Sequence, residues 1–278
     1  MSAVGGKTGR VQLQRLLNGE TVDRTLRGEI WPLPGGGSAD EIVATASALQ
    51  MDFCFFDRVP GSVGKAHALG LAAGAVVNGP WQRWLNEVGW QEAMLQLAKE
   101  SDLLRQGLAE AAQRTRQEIV DWQVTGVDLV LLADDIAYAA GPYMSPQQME
   151  RFLLSHYQGL VAFGAVAGLS VGFHSDGCVD LLLPGLRQAG FRFYSLEPEG
   201  TDPLRAWEIL GEKLPLFSGL PANWLTPGGF YPNREGDALC GWLSAGPLVL
   251  SSACGLYHAE AAPALREIYR WLDKEKID

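Results

Sequence analysis

Eight short apolar runs recur along this chain, each followed by a longer stretch of mixed polarity. They are LRGEIW (26–31), DFCFFD (52–57), AGAVVN (73–78), VDLVLLAD (127–134), LSVGFHSD (169–176), FRFYSLE (191–197), LPLFSG (214–219) and PLVLSS (247–252). Nearly continuous apolar strings of this length are how strands buried on both faces read. Helical patterns fill the intervals at 39–50, 62–70, 90–122, 145–167, 179–189, 203–211, 233–244 and 261–275, after an opening helix over 10–18. Ser145-Pro146 and Asp202-Pro203 each pair a capping residue with proline at the first helical position. Eight strand-helix units with no linker predict an α/β fold: a single (β/α)8 TIM barrel of parallel strands, one domain over 1–278 with a loose segment at 1–9. The rival, an open doubly wound sheet, wants a glycine-rich phosphate loop after its first strand, and GxGxxG is absent. The 90–122 stretch is long for one barrel helix. It predicts an extra helical excursion after the third strand, broken near Ser101-Asp102.

Composition narrows the function classes. The 278 residues hold 32 Asp and Glu against 22 Lys and Arg, a net charge of −10. A nucleic-acid binder needs a basic patch to neutralise phosphates, and an anionic lipid surface needs the same. Neither partner is expected. No uncharged apolar stretch reaches the ~18 residues that a membrane helix requires. Four cysteines, Cys54, Cys178, Cys240 and Cys254, show no framework of spacings, and no secretory leader opens the chain. A cytoplasmic protein with reduced thiols is the expectation.

In a (β/α)8 barrel the site forms at the carboxyl ends of the strands. Here those ends carry Glu29, Asp57, Asn78, Asp134 with Asp135, His174 with Asp176, Glu197, Ser218 and Ser251-Ser252 with Cys254. Loop starts are often polar as caps and turns, and Asp135 and Ser145 read that way. The His174-Ser175-Asp176 triplet is the sharpest local pattern, because residues i and i+2 of an extended segment point to one side. With Cys254 from the last strand, it offers imidazole, carboxylate and thiolate, a three-ligand set for zinc with an open position. A His-Asp hydrogen bond beside an inert buried cysteine fits the same residues equally well. Cys178, opening a helix, is a rival thiol. Trp81, Trp84 and Trp90 after the third strand either wall a flat cavity or pack helices on the barrel.

Several segments, taken in order, resemble the uroporphyrinogen decarboxylase superfamily, which includes cobalamin-dependent (corrinoid) methyltransferases. They are RLLNGETVDRTLRGEIW (15–31), Asn78-Gly79-Pro80-Trp81, GVDLVLLADD (126–135), GPYMSPQQMERFLLSHY (141–157), GFHSDG (172–177), LPGLRQAGFRFYSLEP (183–198) and SSACGL (251–256). The resemblance covers most of the chain and implies a (β/α)8 barrel. It implies two chemistries. In the decarboxylase branch an arginine-bearing RQAGRY-like segment grips the carboxylates of a tetrapyrrole. The matching stretch here is GEIWPLPGGG, although Asp57 stands where that branch has its Asp. In the methyltransferase branch a zinc ion on H-x-C and a distant Cys activates a thiol, which takes a methyl group from a corrinoid. His174 and Cys254 match two of those ligands, and Asp176 replaces the first Cys. The resemblance thus implies a metal-dependent methyltransferase with His174, Asp176 and Cys254 as metal ligands. Asp134 or Glu197 would support the metal, and Asp57, Asn78 and Trp81 would face a cofactor or substrate. A separate corrinoid-binding protein would be the partner and a small molecule the substrate. A metal-free decarboxylase and a barrel without catalysis are the alternatives.

Overall fold

The computed structural model describes residues 8–58 and 62–275. Eight parallel strands stand where the apolar runs place them. They are β1 (Leu26–Arg27), β2 (Phe53–Phe56), β3 (Ala72–Asn78), β4 (Leu129–Ala133), β5 (Ser170–Ser175), β6 (Tyr194–Leu196), β7 (Leu216–Gly219) and β8 (Leu248–Ser251). Ladders run from β2 through β3 and onward to β8, and β8 pairs with β1. The seam between β1 and β2 is held by one residue in place of a ladder. Asp52 N–H donates to Arg27 O at 2.8 Å, and Arg27 N–H donates to the Asp52 carboxylate at 2.9 Å. Arg24 neutralises that carboxylate. The result is a nearly closed (β/α)8 barrel.

Alternation along each strand sorts the side chains into two cores. Phe53, Phe55, Leu129, Leu131, Phe193, Phe217 and Val249 fill the barrel axis, with neighbouring phenyl rings 4.9–6.3 Å apart. Their neighbours Cys54, Phe56, Val130, Leu132, Val171 and Leu250 face the surrounding helices. Both faces are dry, so the strands read as unbroken apolar runs. The opening helix, Gly9–Leu17, presses Leu13, Leu16 and Leu17 into the axial core. Asp128, just before β4, accepts from Arg10, Gln14 and Ala73 N–H and meets His67 Nε2 at 2.9 Å. His67 is thereby part of a structural hydrogen-bond cluster away from the strands' carboxyl ends.

The excursion after β3 contains three helices. Trp90–Lys99 and Asp102–Gln123 break at Glu100, which takes a left-handed φ of 49°, and at Ser101, which caps Leu104 N–H. The helix Pro80–Val88 was not legible as a separate element, because its two tryptophans resemble loop aromatics when read alone. Both rings are buried, with centroids 5.8 Å apart. Trp84 lies so close to Gly107 that a Cβ there would overlap its indole. Gly107→Ala should therefore destabilise the fold by roughly 1–3 kcal/mol in urea denaturation, and an unchanged midpoint would contradict this packing. A second feature absent from the sequence reading is a small hairpin, Ala137–Tyr138 with Gly141–Pro142, between β4 and the Ser145-capped helix. No helix of the described residues is long and apolar enough to cross a membrane.

Candidate active site

A cavity of about 560 Å³ opens at the carboxyl ends of the strands. The strand period explains most of its lining. On β2 the axial positions are 53, 55 and then Asp57; on β4 they are 129, 131, 133 and then Asp135. On β3 the same phase delivers Asn78, and on β5 it delivers His174 and Asp176. Each side chain leaves its strand one step beyond the apolar core and so reaches the cavity.

His174 is the buried centre, with 3% of its surface exposed. Its Nδ1 lies 3.1 Å from Ser195 Oγ on β6, and the indole of Trp31 meets the ring edge-on at 5.0 Å. These contacts fix the ring so that Nε2 faces Asp176 Oδ1 at 3.3 Å and Asp135 Oδ1 at 3.9 Å. The loops bearing the two carboxylates are tied together. Asp176 N–H donates to Asp135 Oδ1 at 3.1 Å, Ile136 N–H donates to Ser175 Oγ at 3.1 Å, and Gly177 N–H donates to Glu197 at 2.8 Å. Burial alone would lower the His174 pKa. The Asp176 hydrogen bond and the charges of Asp176, Asp135 and Glu197 outweigh that, and the net shift is upward. Asp135 is also shifted up, first by burial, which the charge of His174 opposes and the repulsion of Asp176 reinforces.

One donor atom from each of Asp135, His174 and Asp176 lies within 4.8 Å of the other two. Asp176 Oδ1 is buried and makes no well-angled hydrogen bond, although it sits close to His174. Two carboxylates and an imidazole converging around such an atom fit a divalent cation.

The residues expected to form the site divide on this geometry. His174 and Cys254 line one cavity, but Cys254 is not in the converging trio. Asp135, read from sequence as a turn residue, takes that place. Asp57 and Asn78 line the cavity. Asp134 does not: it accepts from Trp81 N–H at 3.3 Å, Gln82 N–H at 2.5 Å and Tyr157 Oη–H at 2.7 Å, and so caps the helix Pro80–Val88. Its position is the outward phase of β4, with Val130 and Leu132. Burial pushes its pKa up to about 7, against the lowering effect of those three donors. Trp81 is fully buried beside Trp84 and does not line this cavity. Glu197 holds Gly177 N–H and acts on the site through its charge. Cys178 lies outside the cavity lining, as an intermediate-exposure residue whose N–H donates to Tyr138 O.

Cys254 reaches the cavity through a turn that departs from the strand period. Ala253 and Gly255 both have left-handed φ, +66° and +92°. A Cβ at Gly255 would meet Trp31 Cβ at 2.7 Å, so glycine is required there. Glu29, wholly buried, anchors this turn by accepting from Ser252 N–H at 3.1 Å and Ser252 Oγ–H at 2.6 Å. Ser252 Oγ in turn accepts from Gly255 N–H at 2.8 Å. Burial raises the Glu29 pKa to about 7 although Ser252 and Ser251 pull it down. The Cys254 thiol is shifted well above its ordinary range, first by burial and then by Glu197 and Asp176. Glu29→Ala should cost about 1–3 kcal/mol in denaturant and speed alkylation of Cys254, whereas Glu29→Gln, which keeps an acceptor, should lose less. Equal stability for both variants would refute the anchoring role.

No protein-family model matches this chain, and no curated protein sequence matches it. Its fold, however, is similar to several solved structures. A methyltransferase from Methanosarcina mazei aligns with a TM-score of 0.70 at 16% identity, over 95% of this chain and 99% of that one. An L-ribulose 3-epimerase aligns with a TM-score of 0.57 at 15% identity, over 91% and 95%. A 3-keto-D-glucoside 4-epimerase from E. coli aligns with a TM-score of 0.55 at 11% identity, over 91% and 100%. At these identities the likeness is one of fold: the chain is a single (β/α)8 barrel.

Proposed function

We propose that this protein is a metal-dependent enzyme of the uroporphyrinogen decarboxylase superfamily, on its methyltransferase side. It would move a methyl group between a corrinoid and a thiol or similar acceptor. The observation that carries this reading is the convergence of Asp135, His174 and Asp176 at the barrel mouth, around a buried carboxylate oxygen without a good hydrogen bond. The likeness of fold to a methyltransferase, and the sequence segments that resemble that superfamily, supply the reaction class.

Asp135, His174 and Asp176 would hold zinc or another first-row divalent cation. Bound there, the cation would lower the pKa of the acceptor and favour its anion at neutral pH. The chain's own part is arrangement. Ser195 and Trp31 keep Nε2 of His174 turned toward the carboxylates. The β4 and β5 loops are cross-linked by hydrogen bonds, so the two carboxylates keep their spacing without the ion. Cys254, Leu256 and Leu33 supply a less polar wall. A corrinoid would arrive on a separate protein at the open rim. Among the described residues no arginine lines the cavity to grip a polycarboxylate tetrapyrrole, which disfavours the decarboxylase alternative.

The direct test is elemental analysis after purification without added metal, then after dialysis against zinc, manganese or cobalt. About one tightly held ion per chain is expected. A protein that retains none of these ions would overturn the reading.

A further inference from the structure

The charge pattern of the cavity says what kind of molecule it admits. Four carboxylates line it, Asp57, Glu118, Asp135 and Asp176, and among the described residues no lysine or arginine does. The guanidinium of Arg83 is spent: it pairs with Glu118 and donates to Asn78 O and Thr115 Oγ1. Arg58 lines the adjacent hollow with Gly37 and Ser38, not this cavity.

The unsatisfied polar atoms point the same way. Gln82 Oε1 is buried without a hydrogen-bond donor, and buried Asp176 Oδ1 has only the poorly angled contact with His174 Nε2 at 3.3 Å. Gln82 Nε2 is already used on Asn86 at 3.0 Å. Asp57 is exposed and makes no ion pair or hydrogen bond among the described residues. The two buried, unsatisfied polar atoms of the cavity lining among the described residues are thus both acceptors. Trp31 and Tyr257 add aromatic surface to the same walls, and aromatic faces attract cations. The upward shifts of Cys254 and Tyr257 come first from burial, and the charges of Asp176 and Glu197 add to both.

A divalent cation on Asp135, His174 and Asp176 would neutralise two of the charges and leave Asp57 and Gln82 unmatched. From this we infer that the acceptor substrate carries a protonated amine, which pairs with Asp57, and that anionic acceptors are excluded. The inference rests on the reading of this cavity as the reaction site. It adds the charge of the substrate, which neither the metal trio nor the fold specifies.

Three small thiols of similar size separate the possibilities: cysteamine (cationic), mercaptoethanol (neutral) and mercaptopropionate (anionic). Binding is measured by calorimetry on metal-loaded protein, with metal content determined on the same samples. Cysteamine should bind roughly threefold to tenfold more tightly than mercaptoethanol, the scale of one partly exposed ion pair, and mercaptopropionate more weakly still. Asp57→Asn should reduce the preference for cysteamine to under about twofold without changing the metal content, since Asp57 is outside the trio. Equal or tighter binding of mercaptopropionate overturns the inference. So does binding of all three alike, or a cysteamine preference that survives Asp57→Asn. If the protein holds no metal, the same titration on metal-free protein still reads the charge preference, so loss of the metal reading and loss of this one are told apart.

Discussion

His174→Ala is expected to abolish retention of the divalent cation and to lower methyl transfer to a thiol by about a thousandfold or more. That figure follows from the several kcal/mol a metal contributes to stabilising charge in the transition state, at about 1.4 kcal/mol per factor of ten. The imidazole is the buried member of the trio, and among the described residues no second histidine lines the cavity. Asp135→Asn and Asp176→Asn should weaken metal binding as well, because each removes a charged donor. Cys254→Ser should behave differently: the metal stays and activity falls by less than about tenfold, the scale of a lost contact at the wall. Metal content, measured beside thermal unfolding, separates loss of the ion from loss of the fold. The opposite outcome, metal lost in Cys254→Ser and kept in Asp135→Asn, would restore the His-Asp-Cys set that the sequence suggested and refute the trio.

The largest stability effect outside the apolar core is expected at Asp134. Asp134→Ala leaves Trp81 N–H, Gln82 N–H and Tyr157 Oη–H without their acceptor in a dry environment. The cost should be about 2–4 kcal/mol, from the lost helix cap and the unpaired donors together. It should also change the pH dependence. Asp134 has a folded pKa of about 7, against 3.8 for an ordinary Asp. Between those values the native state holds a proton that the unfolded chain has released. The resulting stability is fully present below 3.8 and is lost as the pH rises through about 7. Glu29, also near 7, acts in the same direction. Urea midpoints at about pH 5 and about pH 8 should therefore differ in the wild type, and differ less in Asp134→Ala. A variant as stable as wild type, or one with an unchanged pH slope, would show that Asp134 does not carry this linkage.

Asp134 and Asp135 also show where sequence reading stops. The doublet ends an apolar strand, and either residue could face the axis. The sequence reading chose Asp134, which caps the helix Pro80–Val88, whereas Asp135 lines the cavity. Counting by twos from Leu129 through Leu131 and Ala133 leads to Asp135, whereas Val130 and Leu132 lead to Asp134. The information lay in the period, but its phase was missing: with both strand faces buried, no polar face marks which side is the axis. His174 and Asp176 escaped this ambiguity because they share a phase with each other. Trp81 was misplaced for a related reason. An aromatic after a strand can line a mouth or pin a helix, and only the helix Pro80–Val88 shows which.

By itself the sequence determined the eight strands, their parallel closure into a barrel and the end of the barrel at which the polar residues gather. Those features follow from local patterning, since apolar runs must be buried and polar residues at their carboxyl ends must meet at one mouth. Only the tertiary structure decided which donors converge. The distance between Asp135 and His174 depends on how two loops are tied across β4 and β5, and the position of Cys254 depends on two left-handed residues and a buried Glu29. Such contacts join residues far apart in the chain, and their geometry is set by packing that no single segment encodes.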